Sequence, residues 1–425
     1  MSQKLEEAPA YAGFQLGTQQ GLDAWQRVVL EPAVKRDDFE RALGEVAADA
    51  EIAASFEKAN VAGAIERALG ELEKDRDALG RGTDRVFTYE HPVLAVALQH
   101  YKQAIRGGLS GRLVHRWIAV GISALLSRND RDFVELAGLV PDDPIDLGSD
   151  DAIRIAVVGD AGYLCPAQKR VINLMKAQVD GDKYPLLIHL GDTYFGGSDA
   201  EMFTNLIAPL SQAPAERLTT LCGNHDLYFG PEPFIRALQT LRQPGRYFAV
   251  QAAGWTIACL DTSLAAVTVL RHDGLLDVGQ LAWLEKLAGK VEGRRLILMG
   301  HHPPISDWEG ASDEMREQIH DAILKKVALW YWGHEHRIAT YASDAWKGAV
   351  VGNGAFQESV GGPRRKPGRV EWYPEDGKCD CYGSSFLHGD EWPHGFLELT
   401  LRPDSVEERY VLETGDVHTR TTPAA

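Results

Sequence analysis

Cysteine, net positive charge and long apolar runs are all scarce in this chain. There are five cysteines, unevenly spaced at positions 165, 222, 259, 379 and 381, which is no disulfide framework. A reducing cytoplasm is therefore the expected location. The first residues, Met1 to Gly13, carry acids and no apolar segment of the kind that drives secretion. The longest apolar stretch, near Leu113 to Leu126, is interrupted by His115, Arg116 and Ser123 and is too short and polar to span a bilayer. Lys and Arg number 44 against 61 Asp and Glu, leaving a net charge of −17. That balance disfavours non-specific binding to nucleic-acid phosphates and suits a small soluble substrate better. The first third of the chain shows no fixed-period repeat and no catalytic constellation.

What is present is the composition of a soluble globular protein, 44% apolar and 25% charged over 425 residues, enough for more than one domain. From Leu22 to about Ala137 apolar residues recur at helical spacing, as in Phe39, Leu43, Val46 and Ala47. Residues 1–148 read as an all-helical domain of unknown role, with Trp25, Tyr101 and Trp117 as core. Val140-Pro141-Asp142-Asp143-Pro144 reads as a linker.

The texture then changes. Apolar runs at Ile153 to Val158, Leu186 to Leu190 and Leu218 to Cys222 alternate with helical spacing at Pro166 to Val179, about Ala200 to Leu210 and Pro231 to Leu241. This is the signature of α/β architecture with largely parallel sheets. Further strands are expected at Tyr247 to Val250, Trp255 to Leu260, Arg295 to Met299, Leu329 to Trp332, Ile338 to Ala342, Ala349 to Val351, Phe396 to Leu401 and Glu407 to Leu412. A helix from Asp277, capped with Gln280 three residues on, and an amphipathic helix over Ser312 to Val327 complete the pattern. Together they indicate a second sheet stacked on the first. Residues 149–425 form the second domain, with an irregular, Gly- and Pro-rich insertion at about 357–394.

Five corners of this domain share one design. Gly159-Asp160-Ala161-Gly162, Gly191-Asp192-Thr193-Tyr194, Gly223-Asn224-His225-Asp226, Gly300-His301-His302-Pro303 and Gly333-His334-Glu335-His336 each follow a strand and carry a metal-ligand type just after a Gly. The carboxyl ends of strands are where α/β sheets bind ligands. Divalent cations that activate water take carboxylate, amide-oxygen and imidazole donors. A carboxylate bridges two such cations readily, and histidines at alternate positions, as in His334-Glu335-His336, can point to different ones.

The set resembles the calcineurin-like metallophosphoesterases, nearest the branch of the purple acid phosphatases, over about Ile153 to Leu412. Gly-Asp-x-Gly at the first corner, Asp226 after His225, Pro303-Pro304 after His301 and Gly352-Asn353-Gly354 carry the likeness. It implies a four-layer α/β/β/α sandwich and two divalent cations, manganese, iron or zinc. Asp160 and His336 would bind the first cation, Asp192 both, and Asn224, His301 and His334 the second. His225 would be catalytic rather than a ligand, facing the scissile phosphate and protonating the leaving oxygen. The activity implied is hydrolysis of phosphate monoesters or diesters by metal-activated water, without a phosphoenzyme. The alternative is a non-catalytic scaffold or partner-binding module of the same fold.

The likeness has a gap. Position 162 is Gly where most relatives carry a His ligand, and Phe195 stands where the purple acid phosphatase branch carries Tyr. Tyr163 and Tyr194 are the nearby candidates for that vacancy. His302 is expected as a substrate contact or a donor behind the ligands, and Asp226 as a support for the backbone or for His225. Arg337 is expected to reach a phosphate or lie in solvent, and Tyr228 and Trp308 to line or underlie the cleft. In the insertion, Arg364, Arg365, Lys366, Trp372 and Tyr373 could shape a substrate pocket. Cys379, Cys381, His388 and His394 form either a zinc clip or ordinary loop positions.

Overall fold

The computed structural model describes residues 143–424 apart from 195, 198, 228–230, 267–273, 309–310, 344, 357–368 and 375–391, and, earlier in the chain, the antiparallel pairing of Val34–Lys35 with Arg85–Val86. Of the helical domain expected over residues 1–148, otherwise only residues 143–148 are described, and Ile145–Asp146 there is a strand.

Two mixed sheets face each other. One has the strands β2 (Ile153–Val158), β3 (Leu187–His189), β4 (Leu218–Thr220), β12 (Gly395–Arg402), β13 (Ser405–Leu412) and β14 (Val417–Pro423), in the order β14-β13-β12-β2-β3-β4. The other has β1 (Ile145–Asp146), β5 (Phe248–Ala252), β6 (Trp255–Cys259), β7 (Leu296–Gly300), β8 (Val327–Trp332), β9 (Ile338–Ala342), β10 (Lys347–Val351) and β11 (Val370–Trp372), in the order β11-β9-β10-β8-β7-β6-β5-β1. Within each sheet the strands that lead into the five corners run parallel: β2, β3 and β4 in one, β7 and β8 in the other. The antiparallel partners lie outside them. The sheets are thus mixed rather than largely parallel.

Side-chain alternation builds the layers. Ile155, Val157, Ile297, Met299, Leu329 and Tyr331 point between the sheets with Leu397, Leu399 and Leu401. Their neighbours point outward to helices. Ala156 and Val158 meet α1 (Pro166–Gln178), α2 (residues 199–210) and α3 (Glu232–Thr240). Leu296, Leu298, Trp330 and Trp332 meet α4 (Val278–Gly289), α5 (Asp313–Gln318) and α6 (Asp321–Leu324). Strands buried on both faces need apolar residues at every position, which is why these runs hardly alternate in sequence. The result is a four-layer α/β/β/α sandwich.

Local differences from the sequence reading have physical causes. The helix expected over Ser312 to Val327 is two short helices, because Ile319 takes an extended conformation and His320 caps the second through Ala322 N–H. Residues from Val327 then enter β8. Helix α2 contains a π-type stretch, Met202–Ile207. The edge strands β11 and β14 were not expected, since both are polar and partly exposed. Asp277 does cap α4, its Oδ1 accepting from Gln280 N at 3.0 Å. Among the described residues no helix is long and apolar enough to cross a membrane.

Candidate metal centre

All five corners open at one edge of the sandwich, and the side chains they carry meet there. Three of them do so from left-handed backbone: Asp160 (φ 54°), Asp192 (φ 73°) and His334 (φ 70°). A non-glycine residue held this way costs roughly 1 kcal/mol or more, a cost typical of functional sites. Packing around the glycines fixes the arrangement. A Cβ on Gly223 would lie 2.1 Å from Asp192 Oδ1, so only Gly lets that carboxylate sit where it does.

Two donor sets share Asp192. In one, Asp192, His301 and His334 offer ligand atoms that all lie within 4.8 Å of one another; in the other, Asp160, Asp192 and His336 do the same. Asn224 joins the first set: its Oδ1 is 3.1 Å from His301 Nε2 and 3.0 Å from His334 Nδ1. Asp192 Oδ1 lies 3.3 Å from the same Nε2. The ring of His301 is oriented by its other nitrogen, which donates to the Leu190 carbonyl at 2.9 Å. Its Nε2 therefore presents a lone pair to an amide oxygen and a carboxylate. That encounter is repulsive unless a cation stands among the three, so the donor set fits a divalent metal. Burial holds His301 down to a pKa of about 3, leaving it neutral and able to ligate.

The second set is carboxylate-rich. Asp160 is fully buried and pushed well above the usual carboxyl range by burial and by the charge of Asp192. Asp192 is raised by burial as well, against the opposing pull of His225. Asp226 reaches about 7 through burial and Asp192. Acids crowded this way need cations to ionise together. Tyr194 stands in their midst: its hydroxyl is 2.7 Å from Asp160 Oδ1, 3.0 Å from Asp192 Oδ2 and 2.8 Å from His336 Nε2. Tyr163 stays outside this group, ring edge to Tyr194 at 6.3 Å. Gly162 explains why Tyr194 can enter. Tyr194 N donates to the Gly162 carbonyl at 2.7 Å, and a Cβ at 162 would sit 2.4 Å from the Asp192 carbonyl oxygen.

The remaining expected residues fall around these sets. His225 borders Asp192, with its backbone N–H on Oδ1 at 3.0 Å and its Nε2 3.9 Å from Oδ2; its ring lies 4.5 Å from that of Tyr194. Asp226 supports backbone, accepting from Gly223 N (2.7 Å) and Asp192 N (2.9 Å). His302 packs behind the ligands, its Nδ1 2.8 Å from Thr262 Oγ1 and its ring 5.0 Å from that of His334. Arg337 is not solvated. It is buried, its guanidinium 4.9 Å from the Trp308 ring and 5.7 Å from Trp392, because the indoles shelter it from water. Trp308 is thus a packing residue for Arg337 and Tyr341. Phe195, Tyr228, Arg364, Arg365, Lys366, Cys379, Cys381 and His388 lie outside the described residues. His394 is engaged in structure, its Nδ1 3.0 Å from the Asn353 carbonyl. Trp372 stacks on His418 at 4.0 Å, and Tyr373 packs edge-on to Trp308 and Trp392.

Two residues at the site were missed in the sequence. Phe356 stacks on Tyr194 at 4.0 Å and covers His336 at 4.8 Å. His189 is buried beneath the first corner. A lone His inside the apolar run before Gly191-Asp192 was the available signal for the latter.

Residues 153–337 match the family model of the calcineurin-like phosphoesterases. The match takes in all five corners and no residue before β2. No curated protein matches the chain. Among solved structures the chain is similar to GAP50, the anchor in the inner membrane complex of Plasmodium (13% identity, 65% of this chain and 90% of that one, TM-score 0.47). It is also similar to PhoD (12%, 66% and 70%, TM-score 0.40) and to Chaetomium thermophilum Vps29 (12%, 64% and 98%, TM-score 0.30).

Proposed function

We propose that the calcineurin-like domain is a metal-dependent phosphoric ester hydrolase acting on a small phosphorylated substrate. The observation that carries the reading is the pair of donor sets joined through Asp192, with His225 beside it. The Gly-Asp-x-Gly opening supports a reading nearest the purple acid phosphatase branch of the calcineurin-like phosphoesterases.

Asp160, Asp192, His336 and Tyr194 would hold the first cation, and Asp192, Asn224, His301 and His334 the second. Bound there, two divalent cations (manganese, iron or zinc) supply Lewis-acid polarisation of phosphoryl oxygens and a water acidified to near neutrality. The residues of the chain do the rest. Asp192, anchored by the His225 and Asp226 hydrogen bonds, fixes the separation of the two sets. His301 stays neutral because it is buried, and its Nδ1–H, donated to the Leu190 carbonyl, leaves Nε2 as the ligating nitrogen. His225 Nε2 lies 3.9 Å from Asp192 Oδ2, beside the shared ligand, where it would donate a proton to the leaving oxygen.

Elemental analysis together with a panel of chromogenic phosphomonoesters and phosphodiesters in added manganese tests the reading. Two equivalents of metal and turnover are expected. His225→Ala should cut the rate roughly a hundred- to ten-thousand-fold, as for a lost general acid, with metal content unchanged. Loss of metal in that variant would reassign His225 as a ligand. Bound metal with no turnover of the panel or of nucleotides would point to the scaffold alternative.

A further inference from the structure

The hydrogen bonds beneath the corners single out one residue that the ligand scheme does not use. His189, the last residue of β3, is fully buried. Its Nε2 accepts from Ala161 N–H at 3.2 Å, and its Nδ1 faces Thr220 Oγ1 at 2.9 Å. A backbone N–H can only donate, so Nε2 carries the lone pair and Nδ1 the hydrogen. Thr220 Oγ1 then accepts from the ring and turns its own hydrogen to the Leu221 carbonyl at 3.2 Å. The chain of donors runs in one direction, from Ala161 through His189 and Thr220 to Leu221. It runs from the corner after β2 to the last residues of β3 and β4, the strands that lead to Asp192 and Asn224.

What this chain holds is the peptide after Asp160, the residue with φ 54°. The other side of Ala161 is held too: its carbonyl accepts from Gln168 Nε2 at 2.6 Å. Without an acceptor for Ala161 N–H, a buried donor is stranded and the left-handed turn at Asp160 loses its counterweight. The donor set around Asn224 has a support of its own in the Leu190 carbonyl that holds His301, and it touches the Asp160 corner where His334 N–H donates to Asp160 Oδ2 at 2.8 Å.

We propose that His189 is a positioning residue for the first cation, acting through a single tautomer that locks the Asp160 corner. The proposal rests on the two-cation reading above. It is tested on the full chain with His189→Leu, His189→Gln and Thr220→Val. Manganese stoichiometry, titration calorimetry and anomalous scattering from manganese-soaked crystals report which site is filled, and circular dichroism reports the fold. Gln can accept from Ala161 and donate to Thr220, whereas Leu can do neither. In His189→Leu the manganese beside Asp160 and His336 should weaken on the order of 10-fold or more, as when a supporting partner of a ligand is lost. The manganese beside Asn224 and His334 should weaken less, and His189→Gln should restore the one beside Asp160. Thr220→Val should show the same selective loss to a smaller degree, and remains decisive where His189→Leu does not fold. Equal binding of both cations in the Leu and Val variants, or equal weakening of both with no recovery in Gln, overturns the positioning role. Wild-type protein that binds no manganese overturns the two-cation reading itself.

Discussion

The two halves of the centre are built from opposite chemistry. The half around Asn224, His301 and His334 is made of neutral donors, and its key imidazole is oriented by a backbone carbonyl. The half around Asp160, His336 and Tyr194 is acidic and phenolic, and its hydroxyl and carboxylates already hydrogen-bond one another. A cation in the neutral half relieves lone-pair repulsion. In the acidic half it replaces protons. The first half should therefore bind metal with little dependence on pH above neutrality, and the second should compete with protons.

Asp192 belongs to both halves, and changing it gives the largest effect. Asp192→Asn should lose turnover by about 10⁴-fold or more and release both cations, while His336→Ala and His301→Ala should each empty one half only. Elemental analysis of the three variants checks this. If Asp192→Asn keeps both equivalents, the halves are independent and the bridge is wrong.

Tyr194→Phe sharpens the contrast. It keeps the stack on Phe356 and removes only the hydroxyl. Affinity for the first cation should fall roughly 10- to 100-fold, with the second unchanged, as read by calorimetry. A weaker effect follows from Gly162. Motif logic suggests that Gly162→His would restore a missing ligand, but a Cβ there meets the Asp192 carbonyl oxygen at 2.4 Å and Thr193 Cα at 2.7 Å. The variant should gain no metal and lose about 1–3 kcal/mol of stability to overpacking, measured by denaturant unfolding.

That contrast also marks what could be read from the chain alone. Strands β2, β7 and β8 and the corner residues were legible because a doubly buried strand followed by Gly and a polar ligand leaves a local signature. Tyr194 could be named as a candidate but not chosen over Tyr163, since the choice depends on the pairing of Gly162 with Thr193, 31 positions apart by number. Arg337 was expected in solvent or on a phosphate because nothing local reveals that Trp308 and Trp392 close over it. The edge strand β14, Val-His-Thr-Arg-Thr-Thr-Pro, escaped notice because an exposed edge needs no apolar run. Long-range partners decide these cases, and spacing does not encode them.

The smallest expected effect separates the halves by sign. In the metal-free protein His301 and His189 are held near pKa 3 by burial, while an unfolded His takes up a proton near 6.5. Their contribution to stability is complete above that value and is lost as pH falls below it. Asp226 behaves in the opposite way, keeping its proton to about 7 because of burial and Asp192, while an unfolded Asp ionises near 4. Its native state binds the extra proton, so stability declines as pH rises through 7. Between pH 6.5 and 7.5 the unfolded imidazoles still give up protons, which raises stability and offsets the Asp226 slope, so the acidic half is read by difference. Asp226→Asn keeps an acceptor for Gly223 and Asp192 N–H but cannot ionise. Across that interval the Tm of metal-free wild type should fall relative to that of Asp226→Asn by about 1–3 °C, at roughly 2–4 °C per kcal/mol for a domain of this general size. Saturating manganese should abolish that difference by taking the place of the protons. A wild-type Tm that keeps pace with the variant's across the interval would show that the acidic half is already ionised without cations, and the division between the halves would not stand.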